Sequence, residues 1–69
     1  MRSVKVRING KEESLAGAKN IAELVAHKGL SPDNIVVEHN RRVLPKEEWH
    51  AAGLDDNDSV EIVSFVGGG

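Results

Sequence analysis

The chain has no cysteine and no tyrosine, and only one phenylalanine, one tryptophan and two prolines in 69 residues. Without cysteine it carries no disulfide, no thiolate metal site and no nucleophilic thiol, so any sulfur chemistry must use another atom. From the opening MRSVKVRING onward, no apolar run reaches the length of a signal peptide or a membrane span. A basic excess is also missing: the net charge is −2 and the pI about 5.8, which argues against a nucleic-acid or anionic-membrane surface. These absences leave a soluble, cytoplasmic protein as the expectation. His27, His39 and His50 are widely spaced and form no HxxxH pair, so no metal site is expected. No Ser/His/Asp arrangement stands out, and Gly67 to Gly69 are not followed by the helix that a phosphate-binding loop requires. Catalysis by this chain alone is therefore not expected. Arg41, Arg42 and Lys46, like Asp55, Asp56 and Asp58, read as ordinary solvated turns.

What remains is a pattern of short elements. Ordering the chain costs on the order of 100 kcal/mol of conformational entropy, so nearly every large apolar side chain must be committed to one core. Val4, Val6 and Ile8 alternate with Ser3, Lys5 and Arg7, the period of a strand with one buried face. Asn9-Gly10 suits a tight hairpin because both residues tolerate positive φ. The second strand, Lys11 to Leu15, is short and polar, as befits a sheet edge. The period then changes. Asn20 is an N-cap with Glu23 three residues on, Ile21, Leu24 and Val25 share one helical face, and Gly29 followed by Leu30 closes the helix. The spacing predicts a helix over Ile21 to Lys28, with His27 and Lys28 at its negative end. After the punctuation SPDN, IVVEH (Ile35 to His39) predicts a third strand and Val43-Leu44 a brief fourth, ended by Pro45. PKEEW predicts a single helical turn that puts Trp49 over one end of the core. Asn57 suits a left-handed position in LDDNDS, and the last strand is predicted from Ser59 to Val66.

This order predicts an α+β roll, a mixed sheet of four to five strands with one main helix; if the first and last strands lie parallel at the centre, the C-terminus leaves from a rigid central element. The domain would span residues 1–66, with a flexible tail at 67–69. Along the last strand Val60, Ile62, Ser64 and Val66 share one phase and Glu61, Val63 and Phe65 the other. If the helix covers the first set, Val63 and Phe65 form an apolar patch for a partner; the alternative is a central strand buried on both sides. The tail Gly67-Gly68-Gly69 lacks any Cβ and can thread a narrow channel. Fully extended, three residues reach ~10 Å beyond the strand. That reach would carry the terminal carboxylate into another protein's active site. With a pKa of roughly 3.5 the carboxylate is an anion at neutral pH, and it must be activated by a separate enzyme before it can react.

The NG after the first strand, IAELV, GLSPDNIVVEHN, VLPKEEW, LDDNDSVEIVSFV and the closing GGG together make the chain resemble the ThiS family, the ubiquitin-like (β-grasp) sulfur carriers of thiamine biosynthesis. The resemblance covers nearly the whole chain, and its most specific parts are the Pro45-Lys46 pair with Trp49 and the VGGG ending. It implies that the Gly69 carboxylate is adenylated by an adenylyltransferase of the ThiF type, using ATP and Mg²⁺ that the carrier itself does not bind. Sulfur from a cysteine-derived donor then displaces AMP to leave a thiocarboxylate, and a thiazole synthase of the ThiG type takes up the sulfur. Gly67 and Gly68 would be the lead into the partner's active site, Val63 and Phe65 part of the partner-facing surface, and the free carrier a monomer. Two other readings retain the tail: a sulfur carrier for molybdopterin or another thiocarboxylate pathway, and a ubiquitin-like modifier joined to lysines through Gly69. The chain departs from the family's usual pattern at Asn57, where glycine is common, and at Arg41, where glycine often follows asparagine. Arginine at position 41 suggests a different type of turn there.

Overall fold

The computed structural model describes residues 3–65. Five strands, β1 (Ser3–Ile8), β2 (Lys11–Ala16), β3 (Ile35–His39), β4 (Arg42–Leu44) and β5 (Ser59–Ser64), form one sheet in the order β2-β1-β5-β3-β4. The helix α1 (Ile21–His27) crosses between the β1–β2 hairpin and the later strands. The two hairpins are antiparallel, β5 runs antiparallel to β3, and β1 pairs parallel with β5 through Arg7–Ser59 and Ile8–Val60. The expected mixed sheet is thus present, and the condition that its first and last strands run parallel is met.

Alternation decides which side chains enter the core. Val6, Ile8, Leu15, Ile35, Val37 and Val60 are buried beneath Ile21, Leu24 and Val25 of α1. The helix starts as its sequence suggests: the Asn20 side chain accepts the Glu23 N–H at 2.8 Å, and the Glu23 carboxylate accepts the Lys19 N–H at 2.8 Å. It ends one residue earlier than predicted, with Lys28 as its cap. Gly29 at φ 68° lets its own N–H reach Ala26 O and the Leu30 N–H reach Val25 O, at 3.0 and 3.2 Å.

Several boundaries differ from the sequence expectations. The second strand extends to Ala16 because Ser3 still pairs with it there. SPDN contains a short 3₁₀ turn, Pro32–Asn34. PKEEW is longer than a single turn: a 3₁₀ stretch runs over Lys46–Ala51, with Pro45 capping it from outside. Trp49 is buried against the core, and its indole N–H donates to Leu44 O at 2.8 Å, which satisfies the polar end of that side chain.

The correction at Arg41 concerns backbone conformation. Asn40 and Arg41 have φ 51° and 71°, much as Asn9 and Gly10 have 51° and 82°. Both hairpins therefore turn on two central residues at positive φ, and the different turn expected from arginine does not occur. Asn57, at φ 73°, takes the left-handed conformation anticipated for it.

Candidate functional site

β5 is central in the sheet, yet only one of its faces is covered. Val60 is fully buried on the helix side, and Ile62 in the same phase is half-buried. On the other side Val63 is 58% exposed, and Phe65, one residue past the strand and in phase with Val63, is 55% exposed. These values exclude the strand buried on both sides. The register brings Val36 of β3 directly opposite Val63, and Glu38 opposite both Glu61 and Val43. The open face therefore carries an apolar strip of Val36 and Val63 leading toward Phe65, while Val43, itself 63% exposed, lies in the next row across from Glu38 and Glu61. Large side chains left in water on a sheet this small mark a surface that gains from being covered.

The strand that carries this strip is held from both sides by asparagines. The Asn9 carboxamide acts as a substitute peptide group: its Oδ1 accepts the Ile62 N–H at 2.7 Å and its Nδ2 donates to Ile62 O at 3.2 Å. With the Asn9 N–H on Val60 O at 2.9 Å, the side chain continues the β1–β5 ladder past the end of β1. On the opposite side the Asn40 N–H donates to Ser59 O at 2.7 Å, and the Asn40 Oδ1 accepts the Ser59 N–H at 2.9 Å. Asn40 Nδ2 also donates to Asp58 Oδ1 at 3.1 Å. No local pattern exposes these roles, because the partners of Asn9 lie 53 residues away.

Asp58 gathers the entry to β5. Its Oδ2 accepts from His39 Nε2 at 2.8 Å and from the Asp55 N–H at 2.9 Å. Burial works against its charge, but the hydrogen bonds from His39, the Asp55 N–H and Asn40 outweigh it and hold the carboxyl below the usual aspartate range. At the far end of the strand the Phe65 N–H donates to Asn34 O at 2.7 Å, so the chain is fixed up to the last described residue. Gly67, Gly68 and Gly69, the tail on which the expectation of reactivity falls, lie outside the described residues.

Elsewhere the chemistry is sparse. Among the described residues no group of three or more His, Cys, Asp or Glu could hold a metal ion, and no helix is long and apolar enough to cross a membrane. Lys46 pairs with Asp33 on the surface, which raises the lysine pKa and lowers that of the aspartate through their hydrogen bond and mutual charge. A shallow groove between α1 and the Lys46–Ala51 stretch is lined by Ala22, Val25, Leu30 and Trp49, with the Asp33–Lys46 pair and His50 also among its lining.

A single helix laid across a five-stranded mixed sheet, with the C-terminal strand central and parallel to the first, defines the ubiquitin-like β-grasp class. The ThiS thiamine biosynthesis protein of Geobacter metallireducens, known from a crystal structure, superposes with a TM-score of 0.79 at 33% identity, over 96% of this chain and 100% of that one. The ThiS family pattern matches residues 6–69, and the chain belongs to that family. The sulfur carrier protein ThiS of Bacillus subtilis is 37% identical over 65 residues, covering 93% of this chain and 98% of its own. A thiazole synthase of Paramagnetospirillum magneticum is 32% identical over 66 residues, which are 96% of this chain and 20% of that protein. The chain thus spans about a fifth of the length of the thiazole synthases it matches.

Proposed function

We propose that this protein is a sulfur carrier of thiamine biosynthesis whose body, residues 1–66, presents the tail Gly67-Gly68-Gly69 to the active sites of other enzymes. The observation that carries the reading is the family match over residues 6–69, which includes the tail itself and the strand leading into it. The Gly69 carboxylate is the reactive group. An adenylyltransferase of the ThiF type, using ATP and Mg²⁺, joins AMP to it; sulfur mobilised from cysteine displaces the AMP and leaves a thiocarboxylate. A thiazole synthase of the ThiG type then takes the sulfur into the thiazole ring. The matching stretch within thiazole synthases supports that partner, since a carrier and its acceptor enzyme must meet in any case. The carrier binds no cofactor of its own, is not itself an enzyme, and works in the cytoplasm.

Val63 and Phe65 supply the docking surface in this reading. A partner that covers a large apolar side chain gains about 1.5–3 kcal/mol for each one fully buried. The glycines then have only to reach, because the body supplies the affinity.

The test is sulfur transfer in vitro with ATP, the adenylating partner and a sulfur donor, followed by fragmentation mass spectrometry to place the sulfur-for-oxygen exchange. The exchange is expected at Gly69, and deletion of Gly69 is expected to abolish it while the circular dichroism spectrum is unchanged. Sulfur accepted by the truncated chain would sink the proposal. Phe65→Ser in the full-length chain is expected to weaken binding to the adenylating partner by roughly tenfold or more.

A further inference from the structure

Five asparagines are present, Asn9, Asn20, Asn34, Asn40 and Asn57, and only Asn9 precedes a glycine. Glycine has no Cβ to crowd its backbone nitrogen, and Asn9 and Gly10 are both exposed in the turn, with nothing within 4 Å of where a Gly10 Cβ would stand. This places an unhindered nucleophile next to the Asn9 side-chain amide. We propose that Asn9 is a site of spontaneous conversion to aspartate and isoaspartate, and that β5 holds it unreactive in the native fold.

The step is balanced without any cofactor. The Gly10 backbone nitrogen gives its proton to solvent base and attacks Asn9 Cγ; the N–Cγ bond forms, the Cγ–Nδ2 bond breaks, and ammonia leaves. Water then opens the resulting five-membered imide at either carbonyl. One opening leaves aspartate, and the other leaves isoaspartate with the main chain rerouted through the former side chain. Nothing is oxidised or reduced.

In the fold the carboxamide is not free to turn onto the following nitrogen. Its oxygen is engaged by the Ile62 N–H at 2.7 Å and its nitrogen by Ile62 O at 3.2 Å. The Asn9 N–H is bonded to Val60 O at 2.9 Å, so the residue is tied to β5 by side chain and main chain together. Attack on Cγ requires these bonds to open first, and the rate of conversion therefore reports the local detachment of β5. The change cannot be undone by refolding. An aspartate at position 9 sets a second acceptor against Ile62 O, where a donor is needed. Isoaspartate adds a methylene to the main chain in a two-residue turn, which displaces the N–H that bonded Val60. Either product loosens the strand that bears Val63 and leads to Phe65.

The experiment incubates the full chain in mildly alkaline buffer, native and in concentrated urea, and follows each asparagine by peptide mapping that separates aspartate from isoaspartate. Conversion at position 9 is expected to be at least roughly tenfold slower in the native protein than in urea, where it outpaces the other four positions. To assign the protection to β5, Val60→Ala on β5 is compared with Leu15→Ala on β2, at urea concentrations that give the two variants equal global stability. Val60→Ala is expected to convert several-fold faster. Equal rates in native and unfolded chains, equal rates in the two variants, or no preference for position 9 in urea would each overturn the assignment.

Discussion

Asn9-Gly10 and Asn40-Arg41 join antiparallel strands in the same way, with an asparagine at φ 51° and a second residue also at positive φ, yet one second residue is glycine and the other arginine. Turn preference alone accounts for the first and argues against the second, because a side chain in the left-handed region costs about 1–2 kcal/mol. What the turns share is the asparagine side chain. Asn9 reaches Ile62, and Asn40 reaches Ser59 and Asp58, so β5 is gripped along its length from β1 on one side and near its start from β3 on the other. The difference teaches that a two-residue turn can tolerate a poor second residue when its first residue is fixed by a distant strand.

If the grip on β5 matters more than the turn, the asparagines should outweigh their neighbours. Asn9→Ala and Asn40→Ala are each expected to cost about 2 kcal/mol, from two lost hydrogen bonds and a left-handed alanine, measured as a fall in urea midpoint at unchanged slope. Gly10→Ala, with open space around the added methyl, isolates the backbone penalty and should cost about 1 kcal/mol. Arg41→Gly should have the opposite sign, stabilising by about 0.5 kcal/mol as relief of the left-handed side chain outweighs glycine's extra unfolded-state freedom. A destabilised Arg41→Gly protein would mean that Arg41 contributes a contact that offsets its backbone.

The subtlest difference is in acid. Of the two turn asparagines, only Asn40 bonds the Asp58 carboxylate, which is held below the usual aspartate value. A carboxyl depressed in the folded state contributes stability that is fully present above the unfolded value of about 3.9 and is lost as pH falls through the folded value. Amide exchange at Ser59 should therefore quicken relative to Ile62 as the pH drops below about 4. Asp58→Asn should remove most of that divergence.

The elements that rest on local chemistry could be read from the sequence. Alternation located Val6, Ile8 and Val60 in the core, Asn20 with Glu23 began the helix, Gly29 with Leu30 ended it, and Asn9-Gly10 announced the first hairpin. What escaped was decided by contacts across the fold. Arg41 misled because its own propensity disfavours the conformation that Asn40 and β5 impose. The length of the Lys46–Ala51 stretch followed from Trp49 reaching back to Leu44 O, an anchor that the Pro45 signal does not contain. For the candidate site, phase alone separated Val63 and Phe65 from Val60. The choice between an open and a covered second face required knowing that no helix among the described residues lies on that side of the sheet.

The position of β5 also has a mechanical meaning. A load applied at Phe65 runs along the axis of a strand bonded on both flanks, parallel to β1 and antiparallel to β3. Drawing it out must shear those bonds together, since neither flank offers a free edge from which to peel. The Phe65–Asn34 bond lies nearest the point of traction and would yield first, sparing the ladder behind it. A pull along β5 is therefore met by the bonds of both flanks at once, not by one edge of the sheet.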